Sequence, residues 1–159
     1  MRICICPGSF DPITKGHLDI ITRASKLFDK VIVTVMSNSA KNSAFSVEER
    51  VDFIKRSTAD MPNVEADSSE DMLLAEYARK KGACAIVKGL RAVSDYEYEF
   101  QQALMNKSLN GDVETVFLVT DSENMFLSSS VVKEICRFGG DVSQFVPPQI
   151  HDDIVGKLA

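Results

Sequence analysis

The chain has 159 residues, 45% apolar and 26% charged, enough to bury one proper core, and a single domain over 1–159 is expected. Its net charge of −5 argues against non-specific binding to nucleic acid or to an anionic membrane surface, and no apolar run approaches the roughly 20 residues that span a bilayer. The first residues hold no long apolar core followed by a small-residue cleavage site, so a cytoplasmic protein is expected.

Residues 2–6 read as a strand in which Cys4 and Cys6 face the same way. The stretch from Cys6 to His17 is dense in Pro and Gly, which set unusual backbone angles and let a ligand approach the main chain. A helix over 15–28 follows, with Leu18, Ile21, Ser25 and Phe28 in register. The run Val31 to Met36 is β-branched and nearly all apolar, as a strand covered on both faces should be. A polar loop spans Ser37 to Ser43. Ser46-Val47-Glu48-Glu49 is a capping box, and it opens a helix with Val47, Val51 and Ile54 inward, ended by Met61-Pro62-Asn63.

Val64-Glu65-Ala66 reads as a short third strand. A helix over 70–81 turns Leu74, Tyr77 and Ala78 inward and stops at Gly82. Ala83 to Val87 is a fourth strand, followed by a basic turn, Lys88-Gly89-Leu90-Arg91. A helix over 93–108 carries Tyr96, Phe100, Ala103 and Leu104 on one side. Val113 to Val119 is the fifth strand and Asp121 to Leu127 a loop. Ser128-Ser129-Ser130 opens a helix with Val131, Ile135 and Phe138 in register, closed by Gly139-Gly140. Pro147-Pro148 starts a last helix marked by Ile150, Ile154 and Leu158. Cys4, Cys6, Cys84 and Cys136 read as reduced, mostly buried thiols, and neither histidine forms a Cys/His cluster at zinc spacing.

Strand then helix, five times over, predicts an α/β fold: a Rossmann-like, doubly wound, five-stranded parallel sheet with helices on both faces. Such sheets bind ligands beyond the carboxyl ends of the strands, where the strand order reverses. The unusual residues follow strand ends. Ser9, Thr14 and His17 follow the first strand, Lys41 the second, Lys88 and Arg91 the fourth, Asn124 and the three serines the fifth. One edge of an acidic protein would then hold three cations and two helix N-termini, which suits a ligand with several phosphates. Each residue also has an ordinary reading, as a solvated lysine, a helix-capping serine or a partner of Asp95 or Glu99. The Gly-x-Gly-x-x-Gly fingerprint, the P-loop and the Gly-x-Ser-x-Gly elbow are absent.

Thr14-Lys15-Gly16-His17 resembles the T/H-x-G-H motif of the nucleotidyltransferase superfamily, and Leu127 to Lys133 resembles its I-S-S-x run. With Pro7 to Thr14 and Lys88 to Glu99, the whole chain from residue 2 is similar to the bacterial phosphopantetheine adenylyltransferases. The resemblance implies adenylyl transfer from ATP to 4′-phosphopantetheine, giving dephospho-coenzyme A and pyrophosphate with Mg2+, in the penultimate step of coenzyme A synthesis. It implies feedback inhibition by coenzyme A and a homohexamer. It casts His17 as transition-state stabiliser, and Ser9, Lys41, Leu74 and Lys88 as the phosphopantetheine site, with Arg91 joining Lys41 in neutralising phosphate charge. Ser9, Phe10, His17, Gly89, Leu90, Arg91 and Glu99 would contact ATP, and Asn124, Met125, Phe126, Leu127, Ser128, Ser129 and Ser130 would close over it.

Three positions depart from the family's commonest pattern. Ser9 stands for threonine, Lys88 for arginine, and Asn124 where an aromatic residue often stacks on adenine. Lysine keeps the charge and loses the bidentate fork. No carboxylate cage for the metal is evident, so it is expected to arrive on the triphosphate. The rivals are a nucleotidyltransferase acting on nicotinamide mononucleotide or glycerol phosphate, a non-catalytic nucleotide- or coenzyme A-binding module, and a class I aminoacyl-tRNA synthetase fragment. The run from Lys88 to Asp95 and the threonine at position 14 argue against the first, His17 beside two basic turns against the second, and the lack of Lys-Met-Ser-Lys-Ser against the third.

Overall fold

The computed structural model describes residues 1–159, apart from the side chains of Val93 and Ser94, so those two members of the Lys88–Glu99 run lie outside the described residues. Five strands form one sheet: β1 (Ile3–Gly8), β2 (Lys30–Ser37), β3 (Val64–Glu70), β4 (Ala85–Leu90) and β5 (Glu114–Val119). Six helices accompany them: α1 (Lys15–Leu27), α2 (Val47–Ser57), α3 (Leu74–Lys81), α4 (Val93–Leu109), α5 (Ser129–Arg137) and α6 (His151–Leu158). Every strand pair is parallel and the order is β3-β2-β1-β4-β5. The chain winds outward from β1 to β3, then returns to lay β4 against the other side of β1. That reversal opens a crevice beyond the carboxyl ends of β1 and β4. Among the described residues, no helix is long and apolar enough to cross a membrane.

Alternation along the central strands divides the core. Cys4, Cys6, Val31, Val33, Val35, Ala85 and Val87 face one side and pack with Ile21 and Ala24 of α1, Phe53 and Ile54 of α2, Val132 and Cys136 of α5 and Ile154 of α6. Ile5, Ile32 and Ile86 stand in register and face the other side, against Tyr77 and Ala78 of α3. α4 lies beside α3 and the edge strand β5. The helices thus cover both faces, unequally.

Several elements differ from expectation in ways that physics explains. β3 runs seven residues, not three, because Val64 to Glu70 is an edge strand whose polar residues meet solvent or each other. Its Asp67 accepts from the Tyr77 hydroxyl at 2.5 Å and pairs with Lys81 at 3.0 Å. Helix α3 correspondingly starts at Leu74 rather than residue 70. Lys88, Gly89 and Leu90 belong to β4, not to a turn. The buried face of α1 is Ile20, Ile21 and Ala24 rather than the stripe through Leu18 and Ser25. In α5 the register is Val132 and Cys136; Phe138 lies past the last turn, 85% exposed, where the chain turns at Gly139 with φ 78°. Tyr96, Phe100 and Leu104 of α4 are 46, 45 and 57% exposed: the Tyr96 ring stacks on Phe100 and meets Phe117 of β5, and the rest of that side is uncovered. Three of the four cysteines are buried; Cys84 is exposed.

Candidate active site

The N-terminus of α1 fixes His17. Thr14 is the N-cap, and its hydroxyl accepts from the His17 N–H at 3.3 Å. The Thr14 N–H donates to His17 Nδ1 at 3.0 Å, which completes a capping box with histidine in the place of the usual Glu or Gln. An Nδ1 that accepts has no proton, so the ring's proton sits on Nε2, free to donate elsewhere. Burial and the Arg91 charge push the ring's pKa down from 6.5 to about 4, so it is neutral at physiological pH. Phe10 stands edge-on to the ring, with centroids 5.0 Å apart. Its own backbone is left-handed, with φ 48°, a conformation that costs on the order of 1–3 kcal/mol in a non-glycine residue. Phe10 is 4% exposed, so its burial offsets that strain, and Gly8 leaves room for its ring, since a Cβ there would sit 3.1 Å from it.

The other elements bring charge to the same crevice. Lys88, at the end of β4, pairs with Glu99 of α4 at 2.6 Å. Arg91 donates to the Leu127 carbonyl at 3.0 Å and pairs with Asp95 at 3.3 Å, tying the turn after β4 to the loop before α5. Ser128 caps α5, accepting from the Val131 N–H at 3.2 Å, and Ser129 donates to the Pro12 carbonyl at 2.7 Å. Gly89 admits α1 to the sheet, as a Cβ there would lie 3.0 Å from Ile20.

A cavity of about 570 Å³ results. Of the residues singled out in the sequence, Ser9, Phe10, His17, Lys41, Lys88, Gly89, Arg91, Glu99, Asn124, Leu127, Ser128, Ser129 and Ser130 line it. Leu74, Leu90, Met125 and Phe126 do not. Leu74 packs beside the Ile5, Ile32 and Ile86 cluster on the far face of the sheet. Met125 and Phe126 are 51 and 55% exposed, and the Phe126 ring meets that of Phe145.

Asp11, Lys133, Thr120, Asn42 and Ser43 also line the cavity, and neither the sequence motifs nor the strand-end argument points to a role for them. Lys133 could have been read from its spacing, since three to four residues past Ser129 and Ser130 puts it on their side of a helix. Asp11 could not, because its partners lie more than thirty residues away. Burial works to raise the Asp11 carboxyl; bonds from the Ala44 and Phe45 N–H groups and from Lys133 outweigh it and hold it below the usual carboxylate range.

The wall thus carries Lys41, Lys88, Arg91 and Lys133 against Asp11 and Glu99, with the N-termini of α1 and α5 opening onto it. Among the described residues, no three His, Cys, Asp or Glu side chains converge as a metal-holding group. A neutral histidine donor, fixed cations and two helix starts form a receptor for a polyanion whose charge shifts during reaction.

The family model described as cytidylyltransferase-like matches residues 5–135. A phosphopantetheine adenylyltransferase of Caldanaerobacter subterraneus is 56% identical over 158 residues, covering 99% of this chain and 98% of that protein. Another, of Clostridium novyi, is 53% identical over the same spans. A Plasmodium falciparum nicotinic acid mononucleotide adenylyltransferase complexed with NaAD shares the fold at a TM-score of 0.72 and 15% identity, over 98% of this chain and 95% of that one. A Vibrio parahaemolyticus structure described as a putative nicotinate-nucleotide adenylyltransferase does so at 0.70 and 17%, over 100 and 98%. A match over most of the chain and two near full-length relatives above half identity lead to one assignment: this chain belongs to the cytidylyltransferase-like nucleotidyltransferases and, within them, to the phosphopantetheine adenylyltransferases.

Proposed function

We infer that this site carries out adenylyl transfer by holding phosphate charge rather than by moving protons, with the His17 Nε2–H as the donor that follows the reacting phosphate. The reaction is that of the family: 4′-phosphopantetheine and ATP give dephospho-coenzyme A and pyrophosphate, a step of coenzyme A synthesis. A phosphate oxygen of the acceptor forms a bond to the α-phosphorus, and the bond from that phosphorus to the oxygen bridging to the β-phosphate breaks. The nucleophile is already ionised at neutral pH, so no general base is required. The barrier lies in bringing two anions together and in the charge that builds on the α-phosphate and the departing pyrophosphate.

The chain's residues match those demands. In the unliganded site His17 is neutral, which makes it a hydrogen-bond donor and not a proton source. Lys41 and Arg91 neutralise phosphate charge. Lys88 takes the acceptor phosphate, leaving Glu99 to do so, and the Ser9 hydroxyl orients that phosphate. Phe10, Gly89, Leu90, Arg91 and Glu99 border the nucleotide, and the segment from Asn124 to Ser130 closes over adenine and phosphates with the N-terminus of α5 pointing in. Leu74 and its neighbours take the pantetheine arm, which would have to run across the sheet's edge to reach them. Magnesium would arrive with the triphosphate as part of the substrate, Asp11 being already paired with Lys133. Coenzyme A, which carries the same arm, competes for it. The exposed apolar residues on two sides of α4, Tyr96, Phe100 and Leu104 on one and Tyr98, Met105 and Leu109 on the other, are the surface that supports self-association, consistent with a homohexamer.

The observation that carries this reading is the convergence of a neutral His17 and four cations on the crevice where the strand order reverses. The test is pyrophosphate release with ATP and either 4′-phosphopantetheine or nicotinamide mononucleotide. Turnover is expected with the first acceptor alone; turnover with nicotinamide mononucleotide alone overturns the substrate assignment.

A further inference from the structure

One carboxylate at the cavity has no counterpart in the substrate scheme above. Asp11 is 5% exposed. It accepts from the Ala44 N–H at 2.9 Å, the Phe45 N–H at 2.9 Å and the Lys133 ammonium at 3.1 Å. Ala44 and Phe45 end the loop after β2, the loop that carries Lys41. Lys133 stands on α5, one turn beyond the serines. The start of the same loop is tied to Asp71, which accepts from the Ser39 N–H at 3.2 Å and the Ser39 hydroxyl at 2.8 Å. Between the two anchors the loop makes, among the described residues, only short local bonds, from the Ala40 N–H to Asn38 Oδ1 and from the Lys41 N–H to the Asn38 carbonyl. Its residues from Ser37 to Ser43 are almost all polar and mostly exposed, so apolar burial holds it only at its end, where the Phe45 ring packs edge-on to Phe53. Lys41 is exposed at the cavity rim, and its ammonium has no protein partner among the described residues.

We propose that Asp11 is a positioning residue that acts on adenylyl transfer through the Lys41 loop, setting where that ammonium stands against the phosphates. The proposal rests on Lys41 being a phosphate-binding cation. A lysine on a flexible stem neutralises a transition state only if its backbone is held, because an ill-placed charge must be brought in at each turnover. A carboxylate is the group that serves here. It offers acceptors to two adjacent N–H groups and still binds an ammonium, whereas an amide of the same size can present only one oxygen. Lys133 gives the carboxylate a fixed counter-charge and links the loop to α5, so the Lys41 wall and the serine wall move as one body.

The test is a double-mutant cycle on pyrophosphate release with ATP and 4′-phosphopantetheine, using wild type, Asp11→Asn, Lys41→Ala and the pair. Asp11→Asn is expected to lower kcat/KM about tenfold in the wild-type background and less than about twofold beside Lys41→Ala. Amide hydrogen exchange over 38–45 should accelerate in Asp11→Asn while the strands keep their protection. Losses that multiply, or wild-type kinetics in a folded Asp11→Asn protein, overturn the proposal. Wild-type kinetics in Lys41→Ala overturn both it and the role of Lys41, which separates the two failures. Should Asp11→Asn not fold, Asp71→Asn frees the other end of the loop from an exposed site. Its loss must likewise disappear beside Lys41→Ala, and a multiplied loss removes the loop mechanism on which Asp11 depends.

Discussion

Replacing His17 tests the proposed chemistry most directly, because the structure says which nitrogen matters. Thr14 occupies Nδ1 with its N–H at 3.0 Å, so only Nε2–H faces the substrate. Removing one preorganised donor of this kind costs about 3–4 kcal/mol of transition-state stabilisation, or roughly 10²–10³ in kcat. His17→Ala should lose that much, while the affinity for ATP, measured by calorimetry, changes only a few-fold. The side chains of Gln and Asn then discriminate. Glutamine can carry an N–H near the position of Nε2, whereas asparagine reaches only as far as Nδ1. Rates should therefore fall in the order His, Gln, Asn, with Asn close to Ala. The wild-type profile of kcat/KM, which reports the free enzyme, should show no break attributable to His17 between pH 6 and 8, since its pKa there is about 4. An Asn variant faster than the Gln variant, or a histidine-dependent break near pH 6.5, would refute the argument for a neutral Nε2 donor.

The same residue makes a stability prediction. A folded-state pKa of about 4 against 6.5 unfolded means the unfolded chain binds the proton first as the pH falls. The contribution is complete above pH 6.5 and is lost between 6.5 and 4, where urea denaturation should show wild type losing about 3 kcal/mol relative to His17→Gln. Lys88→Arg restores a bidentate fork and should lower the Michaelis constant for phosphopantetheine by about threefold; an unchanged or raised constant removes the fork argument. Gly89→Ala pushes a methyl to 3.0 Å from Ile20 and 3.3 Å from the Thr120 hydroxyl, and should destabilise by about 1–3 kcal/mol in urea. Ser46→Ala breaks the capping box of α2, in which the Ser46 hydroxyl accepts from the Glu49 N–H and the Ser46 N–H donates to the Glu49 carboxylate, each at 3.1 Å, and should cost about 1 kcal/mol.

Local chemistry was legible in the sequence, and long-range chemistry was not. Val31 to Met36 announced a strand because both of its faces are covered, and Ser46 to Glu49 announced a helix because a capping box is satisfied within four residues. The Thr14–His17 box is equally local, and a histidine at N3 of the helix was the available signal for it. The apolar pattern shows only the first part of β3, because an edge strand needs apolar residues on one face only and Asp67 is satisfied by a tyrosine ten residues away. Lys88 to Leu90 read as a turn because a lysine and a glycine are rare in a buried strand, yet β4 carries them past the covered part of the sheet to the cavity's lip. The α4 stripe has helical periodicity, but periodicity alone does not say what the stripe will meet. The gathering of Ser9, His17, Lys41, Lys88, Arg91 and the serines was foreseeable because a parallel sheet sends all its strand ends to one edge; the links of Asp11 to Ala44, Phe45 and Lys133 depend on how those loops then fold together.

The Lys88–Glu99 pair bears on how tightly an acceptor can be held. With the lysine already satisfied, an incoming phosphate does not meet a bare cation; it trades places with a carboxylate. The net gain is the difference between two contacts of the same kind. Added salt weakens the outgoing partnership as well as the incoming one, so acceptor affinity should respond to ionic strength less steeply than a count of the cavity's cations would suggest.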